Sequence, residues 1–374
     1  MILLIFILIL STLVLIHEFG HFIVAKKNDI RVEEFGLGLP PRIWGKKIGE
    51  TLYSINWLPF GGFVKLTGED LEGKVDLQDP YSYASKRPAQ RLAVLLAGVF
   101  MNFVLAVGLF YVLLVSMGFR SFYIPLFFNY DFRFGNSHPV STVIAGISEE
   151  SPLNETGAEL GQAILMVDGV AVSNVDDVRR ELSGKLGKSV EILVTDLKPG
   201  SDGIDKAFIV TPYSDTQGEA VLGVYLTSAT YLSYDLPVER VFSGVLHAYN
   251  TFFYSTSTMG SLISASLQEH DLSPVTQSVA GPVGIYNIVG NIINYAGEDA
   301  LLSLLDYTAL MSLSLAFINL LPFPALDGGR TMFVLYELVT RKKPNPKVEA
   351  RLHKWGMVLL LMFLALVTIK DIRL

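Results

Sequence analysis

The sequence predicts a polytopic α-helical membrane protein of about four transmembrane helices, with a small β domain inserted between the second and third. Three observations predict it. Hydrophobic residues make up 51% of the 374 residues and mean hydropathy is +0.43, too apolar for a chain that keeps all its surface in water. The apolar residues gather into separate long stretches, and the basic residues between them favour one side of a membrane. Net charge is −7 at pH 7, which argues against a nucleic-acid partner. There is no cysteine, which excludes disulfides, a thiolate nucleophile and thiolate metal ligands.

Residues 1–25 form the first span and run into Lys26 and Lys27. A cleaved signal peptide is not expected, because no basic residue opens the run and no small-residue cleavage site follows it. Residues 26–90 form a polar-side region. Within it, two β-like runs, 51–57 and 63–67, flank Pro59, Gly61 and Gly62 and predict a β-hairpin over 51–67. The hairpin is apolar enough to lie against the membrane, provided its backbone groups find partners in protein. Residues 91–117 are the second span, and residues 118–139 are an aromatic-rich interfacial linker. Residues 140–226 alternate short β-branched runs with glycine turns around one helix-like stretch capped by Asn174, the pattern of a small β domain. Residues 227–285 predict an amphipathic helical segment on the membrane surface. Residues 286–340 hold the third span, 341–352 a loop, and 353–371 the fourth span, which begins a few residues earlier.

Charge sets the orientation. The loop RKKPNPKVEARLHK has six basic residues and one acid, whereas residues 118–240 hold nine basic and seventeen acidic residues. Basic loops stay in the cytoplasm. Residues 26–90 are therefore expected inside, with both termini and the β domain outside.

The first span ends in chemistry. His17 and His21 stand four residues apart, share one helix face and can bind one zinc ion. Glu18 is placed to act on water instead of ligating, which completes the HExxH pattern. Three ionisable groups in five residues of a span are costly, about 2.5–3.5 kcal/mol each at mid-bilayer, and a divalent metal compensates them. A catalytic zinc takes three protein ligands. His138, His247, His270 and His353 read as surface or interfacial residues. Asp327 is the better third ligand: it is an acid in an apolar segment with the same cost. Pro322 and Pro324 break the helix before it, and Gly328 and Gly329 allow close backbone approach beside it.

HEFGH in the first span, NLLPFPALDGG (Asn319 to Gly329) in the third and GGFVKLTGE between the first two resemble the site-2 protease family of intramembrane zinc proteases. The bacterial branch that cuts anti-sigma factors is the most similar, and the likeness covers nearly the whole chain. It implies that His17, His21 and Asp327 bind one catalytic Zn2+ and that Glu18 is the catalytic acid/base. It implies that the hairpin residues Gly61, Gly62, Phe63, Val64, Lys65 and Leu66 pair with an unwound substrate and that Asn319 helps hold it. Residues 140–226 would be a PDZ-like domain whose groove takes a peptide C-terminus or filters bulky substrates. Asn102 in LAGVFMN, Pro322, Pro324, Gly328 and Gly329 match further family positions, and AGPVGIY (280–286) also fits. The implied partners are single-span membrane proteins, such as anti-sigma factors or remnant signal peptides, and the lipid bilayer. The implied location is a bacterial cytoplasmic membrane, crossed several times, with the active site near the cytoplasmic side. The chain departs from the family at Val99, where proline is usual, at Gln162 in the PDZ-like Gly-Asp-x-Ile pattern, and in having room for one PDZ-sized unit where the most similar branch has two.

Two other readings fit parts of the sequence. An inactive membrane scaffold would present its PDZ-like unit without cutting, but has no use for a costly Glu18. A prenyl-protein zinc endopeptidase uses glutamate as third ligand, and the third span offers only Glu337 for that role.

Overall fold

The computed structural model describes residues 1–69, 79–197, 205–215, 218–271 and 273–373. In chain order they form α1 (Ile2–Lys27), β1 (Val32–Ile48), β2 (Thr51–Leu66), α2 (Pro88–Ser116), β3 (Ile124–Leu126), β4 (Asn136–Ile147), β5 (Gln162–Val167), β6 (Val170–Ala171), α3 (Val175–Leu182), β7 (Val190–Asp196), β8 (Asp205–Val210), β9 (Tyr213–Ser214), β10 (Ala220–Val221), β11 (Val224–Ser233), α4 (Pro237–Glu269), α5 (Ser273–Ser278), α6 (Pro282–Tyr295), α7 (Ala300–Leu320), α8 (Asp327–Thr340) and α9 (Pro346–Arg373). Among the described residues, four helical stretches are long and apolar enough to cross a membrane: Ile2–Lys27, Pro88–Ser116, Gly297–Leu320 and Pro346–Arg373. The chain divides into two compact units, Met1–Phe110 with Ser255–Leu374, and Tyr111–Tyr254.

In the first unit α1 is the central helix. Its apolar run has no breaker before Gly20, and Lys26 and Lys27 sit in its last turn, where cations complement the helix dipole. Phe6, Ile9 and Leu13 pack with Val289 of α6 and with Leu304, Tyr307 and Met311 of α7. At the other end Ala25, Ile30, Val32, Leu66 and Val94 form a second cluster that seats the sheet under the helix.

That sheet corrects the hairpin expected over 51–67. The two halves of β2 do not pair with each other; both pair with β1. Phe35 faces Tyr53 and Val64, Gly36 faces Ser54 and Phe63, and Leu37 faces Ile55 and Gly62. Residues 35–37 therefore run between the two halves, while the hairpin turn itself joins Ile48 to Thr51. Gly36, Gly38, Pro40 and Pro41 interrupt the alternation of β1, so its strand character does not show in its sequence pattern.

The broken third span separates into α7 and α8, with the break at residues 321–326. Helix α6 ends at Tyr295, in a turn of its own before α7, so the spanning helix within 286–340 is α7. Helix α9 runs from Pro346 to Arg373, so it begins seven residues before 353. Near its end, Asp371 caps a helix far away in sequence: its Oδ2 accepts from the amides of Gly281 (2.8 Å) and Gly284 (2.9 Å) at the start of α6. Lys370 adds an ion pair to Asp371 at 3.1 Å and reaches the carbonyl oxygens of Thr276 and Val279. Asp371→Ala leaves two helix-start amides unpaired, at a cost of about 1–2 kcal/mol. Amide exchange across 281–286, followed by mass spectrometry on the detergent-purified chain, should then rise about tenfold. Unaltered exchange would show that Asp371 does not cap α6.

The second unit is built on a sheet ordered β3-β11-β4-β5-β7-β8, with β6 added on β5. Ile144, Ile164, Ile192 and Val194 pack under Val178 and Leu182 of α3, whose N-cap Asn174 accepts from the Asp177 amide at 2.9 Å. The β domain is larger than 140–226: β4 begins at Asn136, and Val224–Ser233 is a strand. Residues 227–233 thus belong to the sheet, held by their β-branched and aromatic alternation. His247 is buried against Tyr234, 3.1 Å from its hydroxyl, and burial holds its imidazole down at about 4. It is a core residue, not an interfacial one.

Candidate metal centre

Two helices deliver the polar atoms, and α2 backs them. His17 and His21 lie on one face of α1, and Asp327 is the first residue of α8. His17 Nε2 is 3.0 Å from Asp327 Oδ2, His21 Nε2 is 3.2 Å from the same oxygen, and the two Nε2 atoms are 3.2 Å apart. Bonds of about 2.0–2.2 Å to a tetrahedral zinc place its ligand atoms roughly 3.3–3.5 Å apart, close to this triangle. Among the described residues this His-His-Asp group is the set able to hold a metal ion.

The outer partners fit that use. His21 Nδ1 is 2.7 Å from the Val94 carbonyl oxygen, which can only accept; the proton is therefore on Nδ1 and the Nε2 lone pair is free. His17 Nδ1 is 3.2 Å from the amide of the fully buried Asn102. With Nδ2 facing the ring, Asn102 Oδ1 is buried without a partner. Turned over, the amide brings Oδ1 to the Nδ1–H of His17, satisfies the orphan oxygen and frees Nε2 for a metal. Ser312 of α7 donates to the Asn102 carbonyl at 2.8 Å and fixes that turn of α2.

Val94, Gly98 and Asn102 are four residues apart, so a single face of α2 serves both histidines. Nothing in the sequence marks Gly98 as a site residue. A Cβ there would stand 2.5 Å from His21 Nε2 and 2.7 Å from His17 Nε2. One turn of α1 further on, a Cβ on Gly20 would fall 2.4 Å from the Ala97 carbonyl oxygen. The two glycines bring α1 and α2 together at the site.

Glu18 faces the Val64 backbone amide of β2, and a Cβ on Gly62 would lie 3.7 Å from Glu18 Cγ. A cavity of about 440 Å³ is lined by His17, Glu18, His21 and Asp327, with Phe63, Val64 and Leu66 on the sheet side. Its far wall includes Tyr83, whose phenol burial pushes well above its usual range, and an ion pair between Glu69 and Arg330. The sequence predicts neither of these contacts. Of the expected substrate-binding positions, Gly61, Gly62, Lys65 and Asn319 do not line the cavity. Lys65 is exposed and pairs with Glu33 at 2.9 Å. Glu337, the alternative third ligand, is tied to Arg91 in an ion pair and lies outside the metal group.

The break before Asp327 is tightly packed. A Cβ on Gly328 would meet the Leu321 carbonyl oxygen at 2.1 Å, and one on Gly329 the Phe323 carbonyl oxygen at 2.3 Å. Ala325 has φ +87°, and its amide donates to His353 Nδ1 at 3.0 Å. His353, expected at the surface, is half-buried and lines the cavity.

Comparison with known proteins agrees with this geometry. The family model described as peptidase family M50 matches residues 5–363. A protein of Clostridium perfringens with the name "Putative zinc metalloprotease" is 36% identical over 362 residues, covering 97% of this chain and 96% of the relative. A protein of the same name from Clostridium acetobutylicum is 31% identical, covering 98% of this chain and 96% of its own length. The PDZ domain of the SdrC-like protein of Listeria monocytogenes is 19% identical and covers 27% of this chain and 93% of its own, with a TM-score of 0.19, too slight a likeness to assign a fold. By its sequence over residues 5–363, the chain belongs to peptidase family M50, the site-2 proteases, and is a metalloprotease.

Proposed function

We propose that the protein is an intramembrane zinc endopeptidase that cuts single-span membrane proteins within or near their spanning segment. The observation that carries this reading is the meeting of His17, His21 and Asp327 within 3.2 Å of one another beside Glu18, on helices of which α1 is apolar enough to span. One zinc ion held by the three would lower the pKa of water to about 7 and polarise the scissile carbonyl. Glu18 takes the proton of the attacking water and returns it to the leaving amine.

A substrate helix must unwind to be cut, and bare backbone groups in lipid cost several kcal/mol each. Residues 62–66 of β2 pair with β1 on one side, and among the described residues no strand pairs with their other side. That free edge supports β-augmentation of the unwound substrate beside Glu18, with Phe63, Val64 and Leu66 lining its path. The basic loops support a cytoplasmic position for residues 26–90, with both termini and the β domain outside, in a bacterial cytoplasmic membrane. In the second unit a groove of about 550 Å³ runs between α3 (Val175, Val178, Leu182) and residues 220–226. Its apolar lining and adjacent strand suit a docked peptide C-terminus in a PDZ-like manner. Anti-sigma factors and remnant signal peptides are the substrate classes this arrangement serves.

The test compares membrane proteomes of cells carrying the wild-type chain and Glu18→Gln. A single-span protein or signal-peptide remnant should accumulate in the variant and disappear on complementation. Identical proteomes, together with no cleavage of any single-span test substrate, would leave the scaffold reading instead.

A further inference from the structure

We infer that His353, on the last helix, is a positioning residue for Asp327; the inference rests on the reading of Asp327 as a metal ligand. Its starting point is the turn that precedes the aspartate. The Leu326 amide donates to the Phe323 carbonyl at 3.1 Å, Pro324 is the second residue of this turn, and Ala325 is the third with φ +87°. That is a type II turn, whose third position asks for a positive φ and is ordinarily glycine or asparagine. Here an alanine holds it, so something outside the turn must keep it there.

Helix α9 supplies the hold at two points. The amide of the third turn residue is not used by the turn itself, and the Ala325 amide donates to His353 Nδ1 at 3.0 Å. A backbone amide can only donate, so Nδ1 accepts, and the neutral ring carries its proton on Nε2. Three residues on, a Cβ on Gly356 would stand 2.3 Å from the Pro324 carbonyl oxygen and 2.5 Å from Pro324 Cβ. The turn is thereby pressed against the backbone of α9. On its opposite side the carbonyl oxygens of Leu321 and Phe323 press against Gly328 and Gly329 of α8.

Asp327 is two residues beyond Ala325 and is the first residue of α8. Its carboxylate can meet the histidines only if the turn keeps this form. Relaxing Ala325 to a negative φ would re-aim the chain at the point where it enters α8. His353 thus acts on the metal through the backbone without touching it. The fourth span is more than a membrane anchor, since one face of it sets the third ligand.

The experiment measures zinc affinity of the purified full-length chain in detergent by competition with a chromogenic chelator. His353→Leu should weaken zinc binding by about 10–100-fold, the usual effect of losing an outer partner. Adding Ala325→Gly to His353→Leu should restore most of that loss, because glycine holds a positive φ without help. His353→Gln, whose Oε1 can accept the same amide, should stay near wild type, and it serves as the reporter if His353→Leu fails to accumulate. Unchanged affinity in His353→Leu overturns the inference. A double variant as weak as His353→Leu, or a loss in His353→Gln as large as in Asp327→Asn, overturns it too. Asp327→Asn in the same assay tests the ligand reading itself: a loss there with none in His353→Leu removes only the positioning role.

Discussion

Glu18→Gln in the purified chain is expected to slow peptide hydrolysis by about 10²–10⁴-fold while bound zinc stays at the wild-type level. Glutamine matches glutamate in size and can keep the contact to the Val64 amide, so the cavity wall is preserved. It cannot take a proton from water at neutral pH. The side chain is not within the three-atom group able to hold the metal, so metal content should not follow activity. Zinc per chain is read by elemental analysis and hydrolysis with a single-span substrate in detergent or vesicles. A variant that loses zinc along with activity would make Glu18 a ligand and overturn its role as acid/base. A variant that keeps full activity would remove it from the chemistry.

Gly98→Ala should be nearly as damaging, by a different route. The added methyl would sit 2.5 Å and 2.7 Å from the two histidine Nε2 atoms, the atoms that face Asp327. Neither ring can yield freely: His21 is held by the Val94 carbonyl and His17 by Asn102. Helix α2 cannot withdraw without breaking the close approach at Gly20. We expect zinc binding to fall by at least about 100-fold, more than for loss of one outer partner, with activity falling alongside. Gly108→Ala is the control on the same helix. Nothing lies within 4 Å of its added methyl, and alanine favours helix over glycine by roughly 1 kcal/mol, so zinc should be retained. Wild-type zinc content in Gly98→Ala would show that the α1–α2 contact is looser than these distances.

Much of the site is legible in sequence because its costs are local. Two histidines four apart and a carboxylate in an apolar run are visible without any fold, as is an aspartate after a Pro-x-Pro break. Gly98 is not visible, since a glycine in an apolar span normally signals only a loose helix. Its meaning comes from the helix that crosses it. His353 is hidden for a related reason: its partner is a backbone amide 28 residues away, and a side chain that binds backbone leaves no complementary residue to find. The strand β1 escapes because Gly36, Gly38, Pro40 and Pro41 erase the two-residue period. The end of the β domain slips from 226 to Ser233 because a strand and an apolar membrane-surface segment share composition until pairing distinguishes them.

His17 and Asp327 are 310 residues apart, and the turn that aims Asp327 leans on α9, the last helix of all. A ribosome must therefore add 310 residues after His17 before Asp327 can meet it. Until then the growing chain carries His17 and His21 without Asp327. The His-His-Asp group is therefore incomplete until residue 327 has been made. A message cut short upstream of residue 327 would yield a chain that keeps both histidines and lacks the third member of the group.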